Sequence, residues 1–237
     1  MAFDPAASNL SALFRNPDMF ESADDWADAG FEIIRASDNK ITVASHESVP
    51  GYLFKKYVNS GKREALDDQL KNYQTRLEGA RRIRRLIDAK KLEHAVAPRK
   101  WLRTLPEEFG SRGEPAHILI VERLNLLDAD ASEKAYGRID ERVLRDLCVV
   151  LYAFRGLDST TKNLPHTTDG KIAFIDTERW NRHGDREKNR QRPWLKYLNE
   201  HLSRSSMKFA IALLSSGDAG ADDFYDEEST SSSSPSS

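Results

Sequence analysis

The spacing of apolar and polar positions changes several times along the chain, and each change predicts an element. "FEIIRAS" (31–37), "KITVAS" (40–45) and "YLFKKYV" (52–58) are short runs rich in β-branched and aromatic residues. They are separated by Asp38-Asn39 and by Val49-Pro50-Gly51, both turn-forming groups, so three short antiparallel strands are expected. From about Lys62 to Lys90 the apolar residues Leu66, Leu70, Tyr73, Leu77, Ala80, Ile83 and Ile87 recur at three- and four-residue steps. That period predicts one long helix with a single apolar stripe. "HILIVERL" (117–124) is apolar without alternation, as a strand covered on both faces would be. A second helix is expected over Ile139–Phe154, buried along Ile139, Val143, Leu147, Val150 and Phe154 and closed by Gly156. Asp169-Gly170 is a strong turn pair, and "KIAFI" after it predicts a five-residue strand.

The two ends of the chain have a different texture. "SNLSALF" (8–14) and "SADDWADAG" (22–30) each predict a short helix, the second with Ser22 or Asp24 as N-cap, and residues 1–30 read as peripheral. One or two amphipathic helices are expected between Pro193 and Leu214. From about Ser215 the chain is glycine, acid and serine, ending "STSSSSPSS". Such a stretch buries too little apolar surface to offset its ordering entropy, so it is excluded from the fold. Fold class is therefore α+β. The expected division is an N-terminal helical extension (1–30), a sheet lobe with one long helix and a hinge (31–124), a minimal, mainly helical lobe (125–214) and a disordered tail (215–237).

The chain has 237 residues with 36 basic and 38 acidic side chains, a balance that argues against a polyanion as main partner, so no nucleic acid is expected. A basic block, "RLEGARRIRRLIDAKKLEHAVAPRKWLR" (76–103), carries apolar residues at helical spacing and reads as the solvated face of the long helix. Cys148 is the one cysteine, set in an apolar helical run; it reads as a packing thiol in a reducing compartment. No apolar run approaches a membrane span and no signal peptide is visible, so a cytoplasmic location is expected, with secretion by a signal-independent route left open. His166, His183 and His201 have no cysteine or acid at metal-ligand spacing. Trp180 and Trp194 flank a basic stretch and read as packing residues of a small lobe.

Candidate chemistry gathers in "GLDSTTKNLPHTTDGKIAFIDTE", residues 156–178. Asp158 and Asn163 lie in the loop between a helix and a hairpin, and Asp176 sits where a buried strand runs out. Phosphoryl transfer uses such parts: an aspartate to orient the attacking hydroxyl, and an amide and a second carboxylate as hard oxygen ligands for Mg²⁺. The plainer alternative is that Asp176 caps its own turn.

With these residues in view the chain resembles the protein-kinase-like superfamily, which includes the aminoglycoside and choline phosphotransferases and compact kinases among bacterial effectors. "LDSTTKN" is similar to its catalytic loop, with Asp158 in the place of the catalytic aspartate and Asn163 in that of the metal-binding asparagine. "IAFIDTE" is similar to its second metal motif, with Asp176 in the metal-binding place. The resemblance implies a two-lobed protein-kinase-like fold, ATP and Mg²⁺ as cofactors, and a hydroxyl acceptor, either a small molecule or a protein. It also implies a lysine for the α- and β-phosphates on the third strand, where Lys55 and Lys56 stand together. Lys55 is favoured because it shares a strand face with Leu53. Glu78 on the long helix is the candidate partner of that lysine, and the backbone from Glu122 to Leu124 the candidate adenine contact.

Departures from the family pattern leave two further readings open. The connection "ASDNKI" between the first strands holds no glycine, Gly156 and Leu157 stand where histidine and arginine are common, and neither Asp-Phe-Gly nor Ala-Pro-Glu occurs. A pseudokinase that binds without transfer, or an unrelated α+β interaction protein that binds no nucleotide, are the alternatives.

Overall fold

The computed structural model describes residues 13–14, 16, 22–36, 41–57, 64–105, 107–109, 116–154, 156–178, 198 and 200–215. The turn at 37–40, most of the helix expected at 8–14, the basic stretch with Trp180, His183 and Trp194, and the tail from 216 lie outside them. The protein is mixed α+β and divides into two compact units, 1–78 with 98–124, and 79–97 with 125–237.

The first unit is built on a five-stranded antiparallel sheet in the order β1-β2-β3-β6-β5. The strands are β1 (Phe31–Arg35), β2 (Ile41–His46), β3 (Tyr52–Tyr57), β5 (Lys100–Thr104) and β6 (His117–Glu122). The first three are the predicted strands, and β6 is flanked by β3 and β5 as its continuous apolar run requires. Alternation along β6 splits its side chains between two clusters. Ile118 and Ile120 join Phe14, Trp26, Phe31, Ala44 and Phe54 on one face. Leu119 and Val121 meet Tyr73 and Leu53 on the other. Tyr73 belongs to α2 (Glu64–Lys90), the long helix, whose residues from Gly79 onward are part of the second unit.

Residues 22–30 pack onto the aromatic face of this sheet and are not peripheral. Ser22 Oγ accepts the Asp25 N–H at 3.1 Å and starts α1 (Ala23–Asp28), which turns Trp26 inward to 2% exposure. Gly30 then takes a left-handed φ of +89°, which reverses the chain into β1. Phe31 gathers the neighbouring rings, with centroids 5.0 Å from Trp26, 5.4 Å from Phe54 and 6.1 Å from Phe14. Asp24, Asp25 and Asp28 conceal this in the sequence, because one tryptophan among aspartates gives no period.

Strand alternation also separates the lysine pair. Lys56 shares its face with Phe54 and is 4% exposed, and burial pushes its pKa down from 10.5 to about 8. The unfolded chain therefore binds more protons than the folded one between about pH 8 and 10.5, so this lysine makes stability rise with pH across that window. Below about pH 8 it destabilises the fold by roughly 3 kcal/mol at most. Lys56→Met should raise the melting temperature at pH 7, and the gain should shrink towards pH 10.5. A gain that does not vary with pH would contradict this origin.

The second unit surrounds α4 (Glu141–Ala153), which Asp140 caps by accepting the Arg142 N–H at 2.8 Å. Its Leu144, Leu147, Cys148, Val150 and Leu151 form one core with Ile83 and Leu86 of α2 and Ala210 of α5 (Arg204–Ser215). Cys148 is buried and its thiol is pushed up to about 12, which fits the packing role and not a nucleophile. The expected stop at Gly156 is corrected: α4 ends at Ala153 with Phe154 as its cap, two residues before the glycine. The strand expected over 171–175 shortens to β7 (Ile172–Ala173), paired in parallel with β4 (Ala95–Val96). Among the described residues no helix is long and apolar enough to cross a membrane.

Candidate functional site

The described residues from Gly156 to Glu178 are tied by their own backbone, by α3 (Ala129–Tyr136) and by β4. After α4 the Leu157 N–H returns to the Phe154 carbonyl at 3.0 Å, and Leu157 is buried. Asp158 follows, half-buried, with Oδ1 accepting the Thr160 N–H at 3.2 Å. This is a local Asx turn, the ordinary use of an aspartate in a tight loop. The Thr160 carbonyl then accepts the N–H groups of Asn163 at 2.9 Å and Leu164 at 3.1 Å, which closes a second turn.

The return strand is fixed on both sides. Ile172 and Phe174 donate to the carbonyls of His94 and Val96, which seats β7 on β4. On the other side Ala173 donates to Pro165 at 2.8 Å, Thr167 donates to Lys171 at 2.8 Å, and Gly170 with φ +84° makes the tip. That tip is the predicted Asp169-Gly170 turn.

One step beyond this ladder, the Ile175 N–H donates to the Asn163 carbonyl at 3.2 Å. Asn163 therefore lies one residue from Asp176 across a backbone hydrogen bond, although twelve residues separate them in the chain. Asp176 is half-buried, and its Oδ1 accepts the Glu178 N–H at 3.4 Å. The turn-capping role expected of an ordinary aspartate is thus present, but it occupies one carboxylate oxygen only. Among the described residues the second oxygens of Asp158 and Asp176 and the Asn163 side-chain amide have no hydrogen bond. The loop consequently presents three half-buried polar side chains with unused oxygen atoms.

Their chemistry fits Mg²⁺. That ion takes oxygen ligands and is commonly held by one or two protein groups together with substrate phosphates and water, and Asp176 and Asn163 are the oxygen-bearing residues that would hold it. Among the described residues no group of three His, Cys, Asp or Glu stands in a metal-binding arrangement, so a cage made wholly of protein ligands is not what these residues offer.

The remaining predicted positions lie in the first unit. Lys55 pairs with Val43 of β2 and Leu119 of β6 and shares the α2-facing side of β3 with Leu53, while Lys56 faces the aromatic cluster. Glu78 is half-buried on α2. At the end of β6 the Glu122 N–H donates to the Arg99 carbonyl at 2.9 Å, and the Arg123 N–H donates to Gly51 at 2.8 Å. The Glu122 carboxylate accepts the Arg99 N–H at 2.9 Å. Those two backbone donors are committed within the first unit.

Sequence reasoning missed α3. Its Asp128 cap accepts the Ala131 N–H at 2.7 Å, and its Ser132 and Tyr136 are buried against the loop. The signal was present as an Asp cap before a short Ala-rich run, but eight residues with one aromatic give a weak period.

No family model and no curated protein matches the chain. Among solved structures it is similar to a MAP kinase from Leishmania major, with 12% identity and a TM-score of 0.35, over 63% of this chain and 46% of that one. The chain spans less than half the length of that kinase.

Proposed function

We propose that the protein is a kinase-like phosphotransferase that moves the γ-phosphoryl group of ATP to a hydroxyl, on a small molecule or a protein. The observation that supports this best is the Asn163–Ile175 backbone hydrogen bond, which brings Asn163 within one residue of Asp176 across the hairpin that follows Asp158. In this reading Asn163 and Asp176 hold Mg²⁺, which offsets charge on the phosphate oxygens. Asp158 orients the acceptor hydroxyl and takes its proton as the acceptor oxygen bonds to the γ-phosphorus. The bond from that phosphorus to the bridging oxygen breaks and ADP leaves. Lys55 is assigned to the α- and β-phosphates, Glu78 to steadying that lysine, and the Leu124 amide to adenine.

The reading is tested with γ-labelled ATP and Mg²⁺, scoring label on the protein and label released as phosphate, with water as the acceptor of last resort. Transfer by the wild type that disappears in Asn163→Ala supports it. No transfer, with nucleotide binding intact, would favour a pseudokinase, for which Leu157 in place of a cation before Asp158 is the specific observation.

A further inference from the structure

Helix α3 has no part in the chemistry just described, yet it makes two buried contacts with the three residues that follow Asn163. The Tyr136 hydroxyl donates to the Leu164 carbonyl, and Ser132 Oγ accepts the His166 N–H at 2.9 Å. Ser132 and Tyr136 are four residues apart, on one face of the helix, and are 2% and 0% exposed. Between their two anchor points stands Pro165, whose ring fixes φ, so the segment from Leu164 to His166 has little freedom. The His166 ring closes the set by packing edge-on against Tyr136 at 4.6 Å. Burial lowers the His166 pKa and raises that of the Tyr136 phenol far above its ordinary value, so the imidazole stays neutral and the phenol keeps the proton it donates.

The residues leading into the helix are tied to the same segment. The Leu127 N–H donates to the His166 carbonyl and the Thr168 N–H to the Asn125 carbonyl, both at 2.9 Å. Asn163 has no side-chain hydrogen bond among the described residues to hold it. Its position is set by its backbone, through Ile175 on one side and through the Leu164 carbonyl on the other.

We infer that Ser132 and Tyr136 are positioning residues that hold Leu164 to His166 against α3 and thereby fix Asn163 beside Asp176 for Mg²⁺. This inference rests on the phosphotransfer reading. Without the phenol hydroxyl the Leu164 carbonyl is a buried acceptor with no partner, and the peptide carrying it turns to find one. That peptide joins Leu164 to Pro165, and its shift reaches Asn163 through the Leu164 Cα. Outer-shell groups of this kind typically change metal affinity by 10- to 100-fold when removed.

The test is a Mg²⁺ titration at fixed ATP, followed by calorimetry of nucleotide binding, with the same measurement on ATP in excess EDTA. Tyr136→Phe keeps the ring against His166, and Ser132→Ala removes one acceptor at the other anchor. Both are expected to raise the half-saturating Mg²⁺ concentration by about tenfold and to leave metal-free ATP affinity within about twofold. Variants that melt earlier but saturate at the wild-type Mg²⁺ concentration would show a merely structural role and overturn the inference. Ser132→Ala decides the matter if Tyr136→Phe does not fold. A wild type that binds no nucleotide at any Mg²⁺ concentration overturns the phosphotransfer reading and this inference together, a result distinct from the previous one.

Discussion

Asp158→Asn is expected to lower transfer of the γ-phosphoryl group from Mg-ATP by about 10²- to 10⁴-fold, the range for removing a positioned general base. The substitution is close to isosteric and retains an oxygen to accept the Thr160 N–H, so the Asx turn survives. What is lost is the second oxygen, which has no hydrogen bond among the described residues and is the atom assigned to the acceptor proton. Nucleotide binding should be almost unchanged, because the metal is assigned to Asn163 and Asp176. The comparison is made by label transfer and by calorimetry on one preparation. Equal transfer by the two proteins would remove Asp158 from the chemistry, and a fall in both transfer and binding would return it to a structural turn residue.

Trp26→Ala is expected to destabilise the first unit by about 3–5 kcal/mol, as large-to-small changes at buried aromatic sites do. The indole is 2% exposed and packs edge-on against Phe31 at 5.0 Å, and through Phe31 it belongs to the cluster with Phe14 and Phe54. The surrounding rings are set by strand register and cannot collapse far into the space left. Trp26→Phe should recover much of the loss. Denaturant midpoints measure both, and a loss under about 1 kcal/mol for Trp26→Ala would return residues 22–30 to the periphery.

These two residues illustrate how unevenly the sequence discloses the structure. Phe31–Arg35, Ile41–His46, Tyr52–Tyr57 and Glu64–Lys90 were readable because each repeats one period long enough to be counted. Trp26 was not, since a six-residue helix with one apolar side chain has no period at all. Lys100–Thr104 escaped for a different reason: "KWLRT" starts on a lysine that the sheet buries to 8% exposure, so its pattern looks like an exposed connection. β4 and β7 are two residues each and exist only because they pair with one another. Register separated Lys55 from Lys56, and the sequence could state that they face opposite ways without saying which face the aromatic cluster covers.

Within the loop, residue types and spacing pointed to Asp158, Asn163 and Asp176. That Asn163 lies one residue from Asp176 across the hairpin was not readable, because it depends on the hydrogen bond from Ile175 to Asn163, a contact whose register is set by Gly170 and by β4. Ser132 and Tyr136 were further out of reach. They touch the loop over 34 and 28 residues of sequence separation.

The most direct test of a metal-nucleotide site is the melting temperature of the wild type and of Asp176→Ala, each with and without Mg-ATP. A ligand at about 100 times its dissociation constant stabilises the folded state by roughly 2.7 kcal/mol, about 5–10 °C for a chain of this length. The account predicts that rise in the wild type and little or none in Asp176→Ala, each measured against the same protein without nucleotide, since Asp176→Ala also loses its turn cap to the Glu178 N–H. No rise in the wild type at millimolar Mg-ATP, or an equal rise in the variant, would contradict it.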